Sequence, residues 1–129
     1  MLTGSCLCGA VAYTLGAPLA SATHCHCSQC RKAHGAAFAT YASVPKTALR
    51  FTRGAERVRT FNSSPGVART FCDQCGATLQ WMEVDSDSTC IALGTLDSPL
   101  GPIPQTHIFV DSKADWFAIR DGLPQDPNG

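Results

Sequence analysis

Apolar and polar positions along the chain alternate in short runs, and no window of helical length carries a sustained 3.6-residue apolar stripe. Gly9–Leu15 (GAVAYTL) alternates small or apolar residues with others and stops at Gly16 and Pro18, as a strand entering a turn does. Ala36–Ala42 reads as a second strand. Short strands are expected at Leu49–Thr52, Arg57–Asn62, Val67–Cys72, Ala77–Met82, Thr89–Leu93 and Thr106–Val110, separated by turn-forming groups such as Ser64-Pro65-Gly66. The pattern therefore predicts a mainly β protein, with helix confined to a turn or two after Cys27 and around Lys113–Phe117.

A chain of 129 residues, 44% of them hydrophobic, suits one compact domain over 1–129. Its end, DGLPQDPNG at 121–129, is expected to be irregular and to fray. Lys plus Arg equals Asp plus Glu at ten each, which supplies no basic field for nucleic acid or anionic lipid. Neither partner is expected. The first residues, MLTGSCLCGA, show no charged leader with an apolar run, and no stretch approaches the ~20 apolar residues of a membrane span. The expected location is the cytoplasm.

That location changes the reading of the eight cysteines. Cytosolic thiols are kept reduced, which favours metal binding or catalysis over a disulfide framework. Seven of them fall in tight groups: Cys6 with Cys8, Cys25 with Cys27 and Cys30, and Cys72 with Cys75. The first and third groups, CLCGA and CDQCGA, both end in Gly-Ala and lead into a strand. Residues i and i+2 of an extended chain share a face, so Cys6 and Cys8 present their sulfurs together. Cys72 and Cys75 have zinc-knuckle spacing, with Gly76 free to adopt the positive φ of such a turn. Spacing alone does not dictate which pair joins which. Joined, the two pairs make a closed four-thiolate site whose metal-binding energy counts as folding energy.

Cys25, Cys27 and Cys30 then remain for a second metal. Three protein ligands and an open position is the pattern of catalytic zinc. Three anionic thiolates make the ion a poor acid toward water and a good host for another soft ligand, so thiol chemistry fits better than hydrolysis. An iron or iron–sulfur centre is the competing reading, but the spacing matches neither common ferredoxin run. Arg31 and Lys32 follow the last ligand and are candidates to offset its charge or to receive substrate carboxylates; as solvated surface cations they would do neither. His24 and His26 point away from the face of Cys25 and Cys27 and suit a supporting role. His34 and His107 read as structural. Cys90 reads as a small core residue, and Trp81, Trp116, Phe109 and Phe117 as core aromatics.

SCLCGAVAY, CHCSQCRKAHGAAF, RTFCDQCGATL and HIFVDSKADWFAIRDGLPQ resemble the successive blocks of the glutathione-dependent formaldehyde-activating enzyme family, which includes centromere protein V. The resemblance spans nearly the whole chain and rests on seven cysteines in CxC, CxCxxC and CxxC order. It implies the Mss4-like fold, small antiparallel sheets around zinc with only short helical turns. It implies two zinc ions per chain: a structural one on Cys6, Cys8, Cys72 and Cys75, and a labile, reactive one on Cys25, Cys27 and Cys30. The implied activity is that of a carbon–sulfur lyase joining glutathione to formaldehyde as S-hydroxymethylglutathione, with Arg31 or Lys32 on the glutathione carboxylates. A noncatalytic zinc module binding a protein partner is the alternative, since one fold hosts both kinds of function. A related reaction on another small electrophile is a third. The neutral net charge argues against a chromatin role.

Overall fold

The computed structural model describes residues 1–129 as ten strands and one α-helix. The strands are β1 (Leu2–Ser5), β2 (Ala12–Leu15), β3 (Ala22–Cys25), β4 (Ala39–Pro45), β5 (Leu49–Arg53), β6 (Val58–Ser64), β7 (Val67–Cys72), β8 (Thr78–Glu83), β9 (Ser88–Ala92) and β10 (Gln105–Ile108), and α1 spans Ser28–His34. They form a three-stranded sheet, β1-β2-β5, and a seven-stranded sheet, β10-β3-β4-β9-β8-β7-β6. The mainly β reading holds, and Val67–Cys72 matches β7 end to end. All strand pairs are antiparallel except β3 with β10, which run parallel with His24 opposite His107 and Cys25 opposite Ile108. The long excursion from β3 to β10 through most of the chain makes a parallel pair possible without a helical crossover.

The differences from the sequence pattern have local causes. β1 and β3 carry no alternation long enough to mark them, at four residues each. They are strands because β2, β4 and β10 supply hydrogen-bonding neighbours. Strand β4 begins at Ala39 and not at Ala36, because α1 ends only at Gly35, left-handed at φ 58° with its N–H on the Arg31 carbonyl. Lys113–Phe117 is a single turn closed by Phe117 N–H on the Ala114 carbonyl, braced by Lys113 Nζ on the carbonyls of Ala114 and Phe117. The C-terminal residues are irregular yet tied: His107 and Val110 donate to the carbonyls of Pro124 and Asp126, and Asp126 donates back to His107.

Burial divides into three apolar clusters. Tyr13, Leu15, Leu19, Ala42, Val44 and Ile91 join the two sheets. Cys25, Cys30, Ala39, Tyr41 and Ala92 pack under α1, and Cys6, Val11, Cys72 and Leu79 form the third. Two of the three cores therefore contain cysteines from the expected ligand groups. Of the aromatics expected in the core, Trp116 is 70% exposed and Phe109 is 38% exposed. Phe117 stacks against Phe38 and His26.

The loop carrying Cys6 and Cys8 is braced from β5. Arg53 donates twice to the Gly9 carbonyl, at 2.9 and 2.7 Å. Gly54 follows at φ 73°, where a Cβ would overlap the Ala10 carbonyl. A side chain there meets the left-handed penalty of ~1–2 kcal/mol and a backbone clash in addition. Gly54→Ala is expected to cost at least about 2 kcal/mol, read as a lowered Tm; an unchanged Tm would contradict this close approach.

Candidate functional site

Two cysteine groups converge, and they are the groups the spacing singles out. The sulfurs of Cys6, Cys8, Cys72 and Cys75 all lie within 4.8 Å of one another, and so do those of Cys25, Cys27 and Cys30. The first set is built from two loops with the same backbone bonding. Cys6 N–H donates to the Val11 carbonyl and Cys72 N–H to the Ala77 carbonyl, each five residues on. Gly9 at φ 80° and Gly76 at φ 77° return their N–H groups to the Cys6 and Cys72 carbonyls. Only residues free to take positive φ close such loops cheaply, which is why Gly-Ala ends both.

The donor set fits a tetrahedral metal. Thiolates ~2.3 Å from zinc stand about 3.8 Å from each other. The Cys6–Cys8 and Cys8–Cys72 sulfurs are 3.6 and 3.9 Å apart. Amide groups point at these sulfurs as they do at anionic ligands: Val11 N–H to Cys6 Sγ at 3.2 Å, Gln74 N–H to Cys72 Sγ at 3.4 Å, and Gln74 Nε2 to Cys8 Sγ at 3.4 Å. The Ala77 amide is the largest influence holding Cys75 down at about 6. Cys8, despite the Ala10 amide, is pushed up to about 11 by burial and the neighbouring sulfurs. Without a cation the four cannot all ionise; with one, each amide already faces a thiolate.

The second set is assembled from local chain. Cys25 ends β3, Cys27 is the N-cap of α1 with its sulfur accepting the Cys30 N–H at 3.3 Å, and Cys30 lies in the first turn. Cys25 and Cys30 are buried and Cys27 is half-buried. No fourth cysteine, histidine or carboxylate completes this group. The trio opens instead into a cavity of about 240 Å³, which Arg69, Trp81 and Phe109 also line. A cavity of about 590 Å³ elsewhere is larger, but Met1, Leu2, Leu15, Leu19, Leu100 and Ile103 dominate its walls, with no cysteine, histidine or carboxylate among them. Chemistry, not size, selects the smaller one.

The cation at the trio is Arg69 of β7. It is 7% exposed, with Nη2 3.7 Å from Cys30 Sγ, Nη1 3.4 Å from the Tyr41 hydroxyl and Nε 3.1 Å from the Ser63 hydroxyl. Tyr41 in turn meets His34 Nε2 at 2.8 Å. Burial lowers the His34 pKa, so the neutral ring accepts the phenol proton while the phenol oxygen accepts from Arg69. The Cys25 thiol first, then Arg69, lower Cys30 to about 6 against the opposing effect of burial. Cys25 is raised, chiefly by its bond to Cys30 and by burial. Free of metal, the trio thus holds its negative charge at Cys30.

Arg31 and Lys32 do not line this cavity. Arg31 Nε donates to the His26 carbonyl at 3.3 Å, and Lys32 is exposed on α1. Cys90 does line it, half-buried opposite Trp81 in the β8–β9 pair. It packs against the core cluster of Cys25 and Cys30, as the core reading expects, and adds a wall to the site. Arg69 carries no local signal, since it lies 39 residues beyond Cys30; the one available hint is a cation among the apolar positions of a predicted strand.

Three of the four histidines gather on the opposite face of β3. His24 bonds Thr40 and Gln105 at 2.8 Å each. His26 Nε2 lies 2.8 Å from His107 Nδ1, and His107 Nε2 lies 2.8 Å from Asp121. Burial first, then His107 and His24, hold His26 down at about 4, so it is neutral near pH 7. One tautomer set satisfies both contacts: His26 Nε2–H donates to His107 Nδ1, and His107 Nε2–H donates to the carboxylate. His26 Nδ1 then carries no proton, in keeping with its having no partner.

A β scaffold with two convergent thiol clusters, one closed and one open, defines a protein able to hold metal ions, with donors suited to zinc. Residues 1–112 match the family model described as glutathione-dependent formaldehyde-activating enzyme, and the chain belongs to that family. A protein of Halomonas elongata named "Putative glutathione-dependent formaldehyde-activating enzyme" is 32% identical over 93% of this chain and 82% of its own length. A protein of Phaeosphaeria nodorum bearing the same name is 34% identical over 82% of this chain, which spans 50% of that relative. Among solved structures, a Rhodobacter sphaeroides protein superposes with a TM-score of 0.64 at 27% identity, covering 80% of this chain and 98% of its own.

With metal removed from the trio, Cys30 is expected to react with iodoacetamide with a midpoint near pH 6, because its thiolate is stabilised only in the folded state. A lowered folded pKa adds stability that is complete above the ordinary thiol value and is lost as pH falls toward 6. Arg69→Gln should move the alkylation midpoint upward. A midpoint at the ordinary ~8.5 in the unaltered protein would refute the stabilised Cys30 thiolate, and an unchanged midpoint in Arg69→Gln would refute the Arg69 share of it.

Proposed function

We propose that the chain is a zinc-dependent carbon–sulfur lyase of the S-(hydroxymethyl)glutathione synthase type, which adds the glutathione thiol to formaldehyde or a related small electrophile at Cys25, Cys27 and Cys30. The observation that carries this reading is the contrast between the two thiol groups: four sulfurs complete one site, while three sulfurs face a cavity. The names of the relatives point to the same substrates. In this reading Cys6, Cys8, Cys72 and Cys75 hold the structural zinc. Zinc held by the trio supplies a soft cation that keeps an incoming thiol in its nucleophilic thiolate form.

The chain's own residues do the rest. Arg69, fixed between Ser63, Tyr41 and Cys30, places the only charged side chain in the cavity wall against the sulfurs. It offsets thiolate charge and faces the oxygen that gains charge as the carbon–sulfur bond forms. Tyr41 and His34 orient it. Trp81, Ile108 and Phe109 keep water from the reacting atoms. The carboxylates of glutathione stay outside, where Arg31 and Lys32 are the candidate contacts.

Two zinc ions per chain are expected, one resistant to mild chelation and one lost to it, by metal analysis before and after treatment. A single zinc would remove the open site from the reading. Exchange NMR between free formaldehyde and its glutathione adduct tests the reaction: the protein should accelerate exchange, Cys27→Ser should abolish the acceleration while the fold persists, and Arg69→Gln should reduce it by about 100-fold. Because the adduct also forms spontaneously, the comparison with Cys27→Ser decides, and equal exchange in both proteins would sink the proposal.

A further inference from the structure

The cavity beside the trio is poorly matched to the smallest aldehyde and to whole glutathione alike. At about 240 Å³ it falls below the ~300 Å³ at which sites begin to enclose a drug-sized ligand. Its one charged wall residue, Arg69, already donates to Ser63, Tyr41 and Cys30. Two of its five N–H groups stay outside these bonds and can meet an oxygen beside the sulfurs, and the cavity is of a size to admit the thiol end of glutathione rather than the whole tripeptide. A one-carbon aldehyde occupies about the ~30 Å³ of a water molecule, so beside the thiol end of glutathione it fills the remaining space less completely than a larger aldehyde does. Apolar and aromatic side chains, Val67, Trp81, Ile108 and Phe109, form one part of the wall, beside the polar Thr23, Gln29 and Ser64.

Phe109 gives the cavity a second, independent signature. It is the one non-glycine residue with positive φ, at 56°. Glycine holds that conformation without strain, whereas a phenylalanine persists there only when its surroundings impose it. They do: Ser112 N–H closes onto the Phe109 carbonyl, and the flanking Val110 and Asp111 N–H groups donate to the carbonyls of Asp126 and Pro127. The ring also lies against Gly129, where a Cβ would come within 2.6 Å of Cζ. A turn requiring left-handed backbone has no need of an aromatic ring. A cavity wall does, and the ring is 38% exposed at that wall.

We propose that this cavity is a specificity pocket for an aldehyde bearing a compact apolar substituent, with Phe109 as the wall that receives the substituent. The inference rests on the thiol-addition reading above and names its electrophile class. In the step, the thiolate sulfur bonds to the carbonyl carbon, the carbonyl π pair passes to oxygen, and that oxygen takes a proton from solvent. The product is a hemithioacetal, and no oxidant or reductant is consumed.

Benzyl alcohol keeps the ring and oxygen of benzaldehyde but cannot accept the thiol, so it tests the pocket apart from the chemistry. In a Trp116→Phe background, with Trp81 as the sole tryptophan, benzyl alcohol should quench fluorescence saturably. Phe109→Ala and Phe109→Gly should each weaken that binding by about 10-fold. Glycine suits the left-handed backbone, so retention of full affinity in Phe109→Gly would mean that Phe109 serves the turn alone and would overturn the proposal. In parallel, the factor by which the protein accelerates thiol addition over the spontaneous reaction should be larger for benzaldehyde than for formaldehyde, and the ratio of the two factors should fall about 10-fold in Phe109→Gly. Acceleration of the formaldehyde adduct alone would overturn the pocket and leave the proposed function standing. Benzyl alcohol binding with neither adduct accelerated would overturn the thiol-addition reading, and the electrophile assignment with it.

Discussion

Four sulfurs drawn from two loops on separate sheets, Cys8 and Cys72 standing 64 residues apart, are the contact on which the rest of this structure depends. The β1–β2 loop belongs to the small sheet and the β7–β8 loop to the large one. A domain of this size buries only a modest core, and here the third apolar cluster is built around Cys6 and Cys72 themselves. Their amide-directed sulfurs at tetrahedral spacing make that junction costly without a cation and stable with one. The brace from Arg53 and Gly54 to the Cys6–Val11 loop serves the same junction.

Closure of the first group leaves the second free to be incomplete. Cys25, Cys27 and Cys30 come from one strand end and one helical turn, so local geometry alone brings them together. The large sheet then determines what they face. Register places Ile108 beside Cys25 and Trp81 beside Cys90, and carries Arg69 on β7 toward Cys30. One side of β3 holds thiols, a guanidinium and an apolar cavity; the other holds three histidines, Phe38 and the Asp121 contact. Period-two alternation separates these environments by the thickness of one strand.

The C-terminal residues link both sides. Asp121 anchors His107 on the histidine face, while the carbonyls of Pro124, Asp126 and Pro127 are bonded by β10 and the turn that follows it. Phe109 sits in that turn and reaches the cavity. A segment that composition marks as loose is thus structural, because its backbone groups have specific partners and do not depend on side-chain burial.

By itself the sequence determined the mainly β class, the helical turns after Cys27 and the sorting of seven cysteines into two close pairs and a trio. Those features are local: alternation, a CxxC turn with its glycine, and thiols within six positions of one another act over distances a short stretch of chain spans. It also carried the family resemblance, which the match over 1–112 bears out. Only the tertiary structure decided that Arg69, rather than Arg31 or Lys32, meets the trio, that Cys90 and Phe109 line its cavity, and that β10 runs parallel to β3. These depend on strand order and register between segments tens of residues apart. A one-residue slip there reverses which side chains face the site, and no local pattern encodes it.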